Sequence, residues 1–313
     1  MSKSDDRTSI ASPSVLDRTA MPSRPRIWLA AARPRTLSAA LCPVVLGAAL
    51  AFGDDVHHPL SILAALVGAT FIQIGTNFAN DYFDFVKGTD DHSRIGPARA
   101  TAKGWVTPKT MAIATASAFA LAIVAGIYLI VRGGTPILVI GALSILSGVL
   151  YTGGPKPLGY VGLGDVFVLV FFGPIAVAGT YWVQSHTLSW AAILVGFATG
   201  FLATAILVVN NLRDRTGDAR SGKRTLVVRF GEAFGRSEYV ACFVLAALAT
   251  GFVPLLRPDR AYAAVAVAVA IPAFVVAKHV VRIDGARLNP FLGRTAALQL
   301  LHAILLSLGW CLS

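Results

Sequence analysis

Nine apolar runs, each close to twenty residues long, dominate this chain: 36–53, 61–81, 109–131, 135–152, 164–182, 190–211, 237–256, 260–281 and 295–312. A helix needs about 20 apolar residues to cross the hydrocarbon of a bilayer. Inside lipid every backbone N–H and C=O must find its partner within the protein, which leaves helices and closed barrels. Barrel strands are about ten residues long and alternate in polarity, and these runs do neither. Composition agrees: hydrophobic residues make up 55% of the 313 and charged residues 14%, with a mean hydropathy of +0.68. That charged share is about half of what soluble domains carry. So few charges cannot cover a water-facing surface, which excludes a soluble enzyme. The expected fold is all-α, a polytopic membrane protein with nine transmembrane helices.

Residues 1–30 are polar and rich in Ser, Asp, Arg and Pro, with no apolar core of signal-peptide type. They read as a disordered cytoplasmic tail, and 31–313 as one transmembrane domain. Basic residues set the orientation. With the N-terminus inside, 24 of the 27 Lys and Arg fall on the inner side, and only Arg132, Arg257 and Arg260 fall outside. Inner loops carry the excess of Lys and Arg, so N-in, C-out is expected. The net charge of +11 then reflects loops facing an anionic membrane surface, with no nucleic-acid partner. Cys42, Cys242 and Cys311 lie far apart in apolar runs, so neither a disulfide nor a zinc site is expected.

Of the 16 acidic residues, 14 are Asp. Glu is the better helix former, so the skew implies Asp placed for chemistry. Two stretches collect it. Asn80-Asp81-x-x-Asp84 ends the second run, and Asn210-Asn211-x-x-Asp214 ends the sixth, 130 residues later. Four runs separate the two motifs, so both face the same side, as in a parallel internal repeat. At about 100° per residue, Asn77, Asp81 and Asp84 share one face within roughly 60°. If the second helix continues, Asn210, Asp214 and Asp218 share one within roughly 80°. Clustered carboxylates near a bilayer repel and are costly, and an acid at a helix C-terminus opposes the dipole. Mg²⁺ offsets both, because it binds through one or two carboxylates plus substrate phosphates. Asp81, Asp84, Asp214 and Asp218 are therefore the candidate metal ligands. Lys87, Arg94, Lys156, Lys223 and Arg224 are the cations placed to hold a diphosphate.

These motifs resemble those of the UbiA superfamily of intramembrane aromatic prenyltransferases. Four stretches are similar to its 1,4-dihydroxy-2-naphthoate polyprenyltransferase branch (MenA): ARPRTLSAALCPVVLG at 32–47, NDYFDFVKGTDDHSRIGPARATAKGWVT at 80–107, YTGGPKPLGYVGLGDVFVLVFFGPIAVAGTYWVQ at 151–184 and NNLRDRTGDARSGKRTLVVRFG at 210–231. The resemblance runs from about Arg26 to the C-terminus. It implies a UbiA-type bundle of nine helices with an internal pseudo-repeat, in the cell membrane, its active site facing the cytoplasm. The implied reaction moves a polyprenyl group from its diphosphate to 1,4-dihydroxy-2-naphthoate with loss of CO₂, giving demethylmenaquinol for menaquinone. It also implies that Asn77, Asn80 and Asn210 contact substrate.

Other residues keep two readings. Tyr151 flanks a carbocation or orients the diphosphate, or belongs to the aromatic belt. Lys156, the one cation of a Gly/Pro loop, contacts phosphate or water. Arg33 and Arg35 steer an anionic naphthoate or anchor the first run. Asp165 is a helix N-cap or faces substrate, while Asp90 and Asp91 are loop acids. His57-His58 is read as outer surface. Two rival functions stay open: a related enzyme with another acceptor such as 4-hydroxybenzoate or homogentisate, and a secondary transporter. The transporter is disfavoured because the centres of the runs are nearly uncharged.

Overall fold

The computed structural model describes residues 21–89 and 95–313. The tail up to residue 20, with Asp90, Asp91 and Arg94, lies outside the described residues. Within them all regular structure is helical: α1 Arg24–Ala32, α2 Pro34–Gly53, α3 Pro59–Val86, α4 Pro108–Gly133, α5 Thr135–Leu150, α6 Gly164–Phe171, α7 Pro174–Ser185 and α8 Trp190–Arg220. Then follow α9 Leu226–Phe230, α10 Glu232–Gly251, α11 Val253–Leu256, a 3₁₀ stretch Pro258–Val269 leading into α12 Ala270–Val280, and α13 Asn289–Cys311.

Eight helical stretches among the described residues are long and apolar enough to cross a membrane. The remaining expected run is α5, 16 residues long. At 1.5 Å per residue it spans about 24 Å, short of the ~30 Å hydrocarbon thickness. Proline at the first or second position opens α2, α3, α4, α5 and α7. There its missing N–H would have been unpaired anyway. Side-chain oxygens of Thr107, Ser189 and Thr225 cap α4, α8 and α9 by accepting from Thr110, Ala192 and Val228 amides.

Residues 24–30, expected to be part of the tail, instead form most of α1. Ile27 and Ala31 are buried, and the Trp28 ring meets Phe78 of α3 edge-on at 5.5 Å. Alternating apolar and basic residues hid this helix, since Arg24 and Arg26 point outward while Ile27 points in.

α8 stands at the centre, with 72% of its apolar window buried against 17% for the peripheral α4. The expected run 164–182 is broken at Gly173. Pro174 has no N–H and its ring clashes with the preceding turn, so α6 ends at Phe171 and α7 restarts at Pro174. The break lets this segment press directly on α8. A Cβ on Gly196 would lie 2.4 Å from Pro174 Cα, and one on Gly200 2.5 Å from the Leu169 carbonyl. Small residues four apart allow such backbone contact between membrane helices.

Away from the acid motifs, the ends of α2, α7 and α13 are locked together. Arg257 holds both oxygens of Asp54 at 3.0 and 3.1 Å, and Tyr181 donates to the same carboxylate at 2.9 Å. The fully buried Trp310 donates to the Leu50 carbonyl at 3.2 Å, with the Arg257 guanidinium 5.0 Å from its ring centroid.

Gly196→Val is expected to destabilise the protein by about 1–3 kcal/mol, the usual cost of overpacking. Thermal unfolding in detergent, followed by tryptophan fluorescence, checks this; an unchanged transition would show that the α7–α8 contact is not tight.

Candidate active site

A cavity of about 820 Å³ opens between α2, α3, α5 to α8 and the loops at one end of the bundle. Gln73, Asn77, Asn80 and Asp84 line it from α3, and Asn210, Asn211, Asp214 and Asp218 from α8. The α3 residues follow i, i+4, i+7, i+11 spacing, a single helix face. α8 continues to Arg220, which keeps Asp218 on the face of Asn210 and Asp214. Lys223 and Thr225 line the cavity just beyond that helix. Deeper in, the walls are apolar: Ile72, Ile130, Ile145, Phe167, Phe171 and Phe172. Ile123, Leu138 and Leu146 line the cavity and are also 49–52% exposed, so it opens sideways past α4 and α5.

Asp84 is fully buried and surrounded by donors. Arg99 reaches its Oδ2 at 2.5 Å, Tyr160 donates to Oδ1 at 2.8 Å, and Lys223 Nζ lies 3.3 Å from Oδ1. Thr89 donates to the same oxygen at 3.3 Å. The ammonium groups of Lys87 and Lys223 each sit 4.9 Å from the centroid of the Tyr160 ring, a geometry in which the ring's negative face attracts cations. Burial, and then the Asp84 carboxylate, push the Tyr160 phenol up, so it stays a neutral donor. Burial pulls the Lys87 ammonium down, opposed by the attraction of Asp84.

On α8 the acid has its own arginine. Arg213 grips both oxygens of Asp214 at 2.8 and 2.6 Å, a bidentate pair. The same guanidinium reaches Asn210 at 2.7 Å and Asn289 at 3.2 Å, and is buried.

The expected stripe Asn77–Asp81–Asp84 is not the one that lines the cavity. Asp81 is buried beside it, its two oxygens accepting from the backbone amides of Ala100 at 2.9 Å and Thr101 at 3.0 Å. On a helix wheel Asp81 lies about 40° to one side of Asn77 and Asn80 about 60° to the other. The cavity takes the Asn80 side. Asp81 therefore holds the loop that carries Arg99, and Asn80-x-x-x-Asp84 is the counterpart of Asn210-x-x-x-Asp214.

Tyr151 lines the cavity, fitted between Gly159 and Gly164; a Cβ on Gly164 would lie 2.9 Å from its hydroxyl. Asn80 accepts from the Thr152 hydroxyl at 2.7 Å, and Asn77 donates to the Ala32 carbonyl at 2.9 Å. Four expected cations stand elsewhere. Lys156 and Arg35 are exposed and do not line the cavity. Arg224 is exposed and joins the site only by its backbone amide, which donates to the Tyr160 carbonyl at 2.8 Å. Lys87 gives its ammonium to the carbonyls of Thr152 and Gly154. Arg94 lies outside the described residues. Asp165 is buried off the cavity. Of the cations that do face the acids, Lys223 was expected, whereas Arg99 and Arg213 carried no sequence signal beyond being basic; neither did Tyr160, which arrives on a loop.

Among the described residues, no three His, Cys, Asp or Glu side chains converge tightly enough to hold a metal unaided. All the candidate donors are oxygens, the choice of a hard cation that also takes ligands from phosphate.

The model of the UbiA prenyltransferase family matches residues 40–308. This chain belongs to that family. It is 40% identical to the 1,4-dihydroxy-2-naphthoate octaprenyltransferase of Escherichia coli (strain K12), over 93% of this chain and 97% of the relative. A second relative of that name, from Mycobacterium tuberculosis (strain ATCC 25618 / H37Rv), is also 40% identical, over 74% of this chain and 79% of its own. In fold it is similar to a UbiA homolog from Archaeoglobus fulgidus bound to GPP and Mg²⁺. The TM-score is 0.66 at 15% identity, covering 92% of this chain and all of that one. The same homolog bound to DMAPP and Mg²⁺ gives 0.64 at 16%, covering 90% and 99%.

Asp81→Ala strips two buried amides of their partner and is expected to lower stability by at least about 2 kcal/mol. Chemical or thermal unfolding in detergent measures this, and a wild-type transition would show that the carboxylate does not hold the loop.

Proposed function

We propose that this chain transfers a polyprenyl group from polyprenyl diphosphate to 1,4-dihydroxy-2-naphthoate, with loss of CO₂, in menaquinone biosynthesis. The observation that carries the reading is one cavity with an acid-and-cation mouth on α3 and α8 and an apolar interior open sideways. The 40% identity to a naphthoate octaprenyltransferase over 97% of its length supports the choice of acceptor.

The mouth fits a divalent cation with diphosphate. Its described lining carries Arg33, Arg99 and Lys223 against Asp84, Asp214 and Asp218, three charges of each sign, with Arg213 paired to Asp214 behind that lining. A diphosphate added to that balance needs further positive charge. In this reading Asp84, Asp214 and Asp218, with Asn80 and Asn210, hold Mg²⁺, which would neutralise the leaving diphosphate. Lys223 and Arg99 point donors at the same place and stabilise charge as it develops there. Tyr160, kept neutral, donates a hydrogen bond to Asp84 and fixes its orientation.

The prenyl C–O bond breaks, and diphosphate leaves with the electron pair. The ring carbon that bears the carboxylate bonds to the prenyl carbon. The bond to the carboxylate then breaks as CO₂ departs, and its electron pair restores the aromatic ring. Tyr151, Phe167 and Phe171 present π faces to an allylic cation in a space shielded from water. The hydrocarbon tail leaves past Ile123 and Leu138 into lipid. The same reading keeps nine crossings of the plasma membrane, with α5 thinning the bilayer locally. It keeps the N-terminus and the mouth of the site in the cytoplasm, supported by the 24-to-3 split of basic residues.

Purified protein given dihydroxynaphthoate, a polyprenyl diphosphate and Mg²⁺ is expected to yield demethylmenaquinol by mass and to release label from the carboxyl carbon. EDTA stops turnover and Mg²⁺ restores it. Asp84→Asn and Asp218→Asn each cut the rate at least about a hundredfold, the usual loss for a transition-state charge contact. Turnover that persists in excess chelator rejects the metal assignment. Prenylation without CO₂ release moves the enzyme to another aromatic acceptor.

A further inference from the structure

Gln73 is the deepest polar residue of the α3 stripe, eleven residues and about 16 Å along the helix axis from Asp84. It is buried, only 8% exposed, and lines the cavity. Its neighbours fix which way the amide faces. The Thr36 hydroxyl donates to the Arg33 carbonyl at 3.0 Å, so its oxygen has only lone pairs left to offer. That oxygen accepts from Gln73 Nε2 and from Asn77 Nδ2, both at 3.2 Å. The nitrogen of Gln73 is thereby committed to Thr36, which leaves Oε1 as the atom still to be satisfied. Gln73 Oε1 is buried and has no hydrogen-bond partner among the described residues. An amide oxygen left so in apolar surroundings is costly unless a donor arrives.

The cavity wall here therefore offers a lone pair that no donor among the described residues meets. Its complement is a molecule that carries an O–H donor, a hydroxylated aromatic ring. A prenyl diphosphate has no donor to give here, because its charged end belongs about 16 Å away and its chain is hydrocarbon. We infer that Gln73 sets acceptor specificity, receiving a phenolic hydroxyl on Oε1. This rests on the reaction proposed above and names the group that reads its acceptor. Gln73 forms no bond to the reacting carbon and is not a catalytic residue.

The test compares Gln73→Leu with wild type on dihydroxynaphthoate and on two analogues, 1-hydroxy-2-naphthoate and 4-hydroxy-2-naphthoate, each lacking one hydroxyl. Loss of one net hydrogen bond is expected to raise the KM for dihydroxynaphthoate about tenfold, with the KM for prenyl diphosphate unchanged. Wild type disfavours one analogue against the parent, and the variant handles that analogue and the parent alike. Gln73→Asn keeps the carbonyl one methylene short; it gives an intermediate KM and carries the same comparison should the leucine variant not fold. An equal rise in both KM values, or a parent-to-analogue ratio that the variants leave intact, overturns the inference while the reaction stands. Wild-type protein that leaves dihydroxynaphthoate unprenylated overturns the reaction itself, and this inference with it.

Discussion

A carboxylate with no exposure must be surrounded by donors or give up its charge. Asp84 is such a group, and much of the architecture at the mouth answers it. Arg99 comes from the loop after α3, Tyr160 from the loop after α5 and Lys223 from the turn after α8. One buried acid thus collects four separate stretches of chain at one point. Asp81, one turn earlier, fastens the first of these loops by its backbone, so that Arg99 is held from both sides. Removing either acid would leave buried donors or a buried cation unsatisfied, the costly way to break such a pair.

The opposite end answers an acid of its own. Asp54 is closed by Arg257 and Tyr181, and Arg257 lies over the buried Trp310 ring. Trp310 in turn donates to the Leu50 carbonyl, so that end fixes α2 against α13. Between the two ends α8 passes through the interior, small where it meets α6 and α7 and charged only at its last turns. A rigid far end and a donor-rich near end let the cavity stay open between helices without the bundle collapsing into it.

How far the sequence foretold this depends on what enforced each feature. Lipid enforces apolar runs, and so eight of the expected spans appear as long apolar helices among the described residues; the continuation of α8 stood only as a condition in the sequence, and the helix meets it by running to Arg220. The break at Gly173-Pro174 was readable in principle from the proline. The 3₁₀ course of Pro258–Val269 was not, because it leaves the apolar pattern unchanged. The choice between Asp81 and Asn80 was beyond periodicity, since each lies within 60° of Asn77. A loop decided it, and loops have no period to read. Lys156 attracted notice as a cation in a Gly/Pro turn, yet its side chain is exposed, while Arg99, fifteen residues past Asp84, is a cation that meets the acid.

The α3 stripe also orders the cavity by polarity. Asp84 stands at the mouth, the amides Asn80, Asn77 and Gln73 follow inward, and below them come Ala69, Gly68 and Ala65. Charge gives way to amide and then to apolar surface along one helix face. The cost of burying each group falls with its polarity, so the groups that are most costly to bury stay at the mouth and the gradient is what a membrane permits. In the proposed reaction it is also what two unlike substrates require. A diphosphate is stable only at the charged mouth, and a hydroxylated ring is best matched by amides. An isoprenoid tail needs neither and leaves through the apolar side opening. The bilayer's penalty on buried polarity and the sorting of substrates are then met by the same row of side chains.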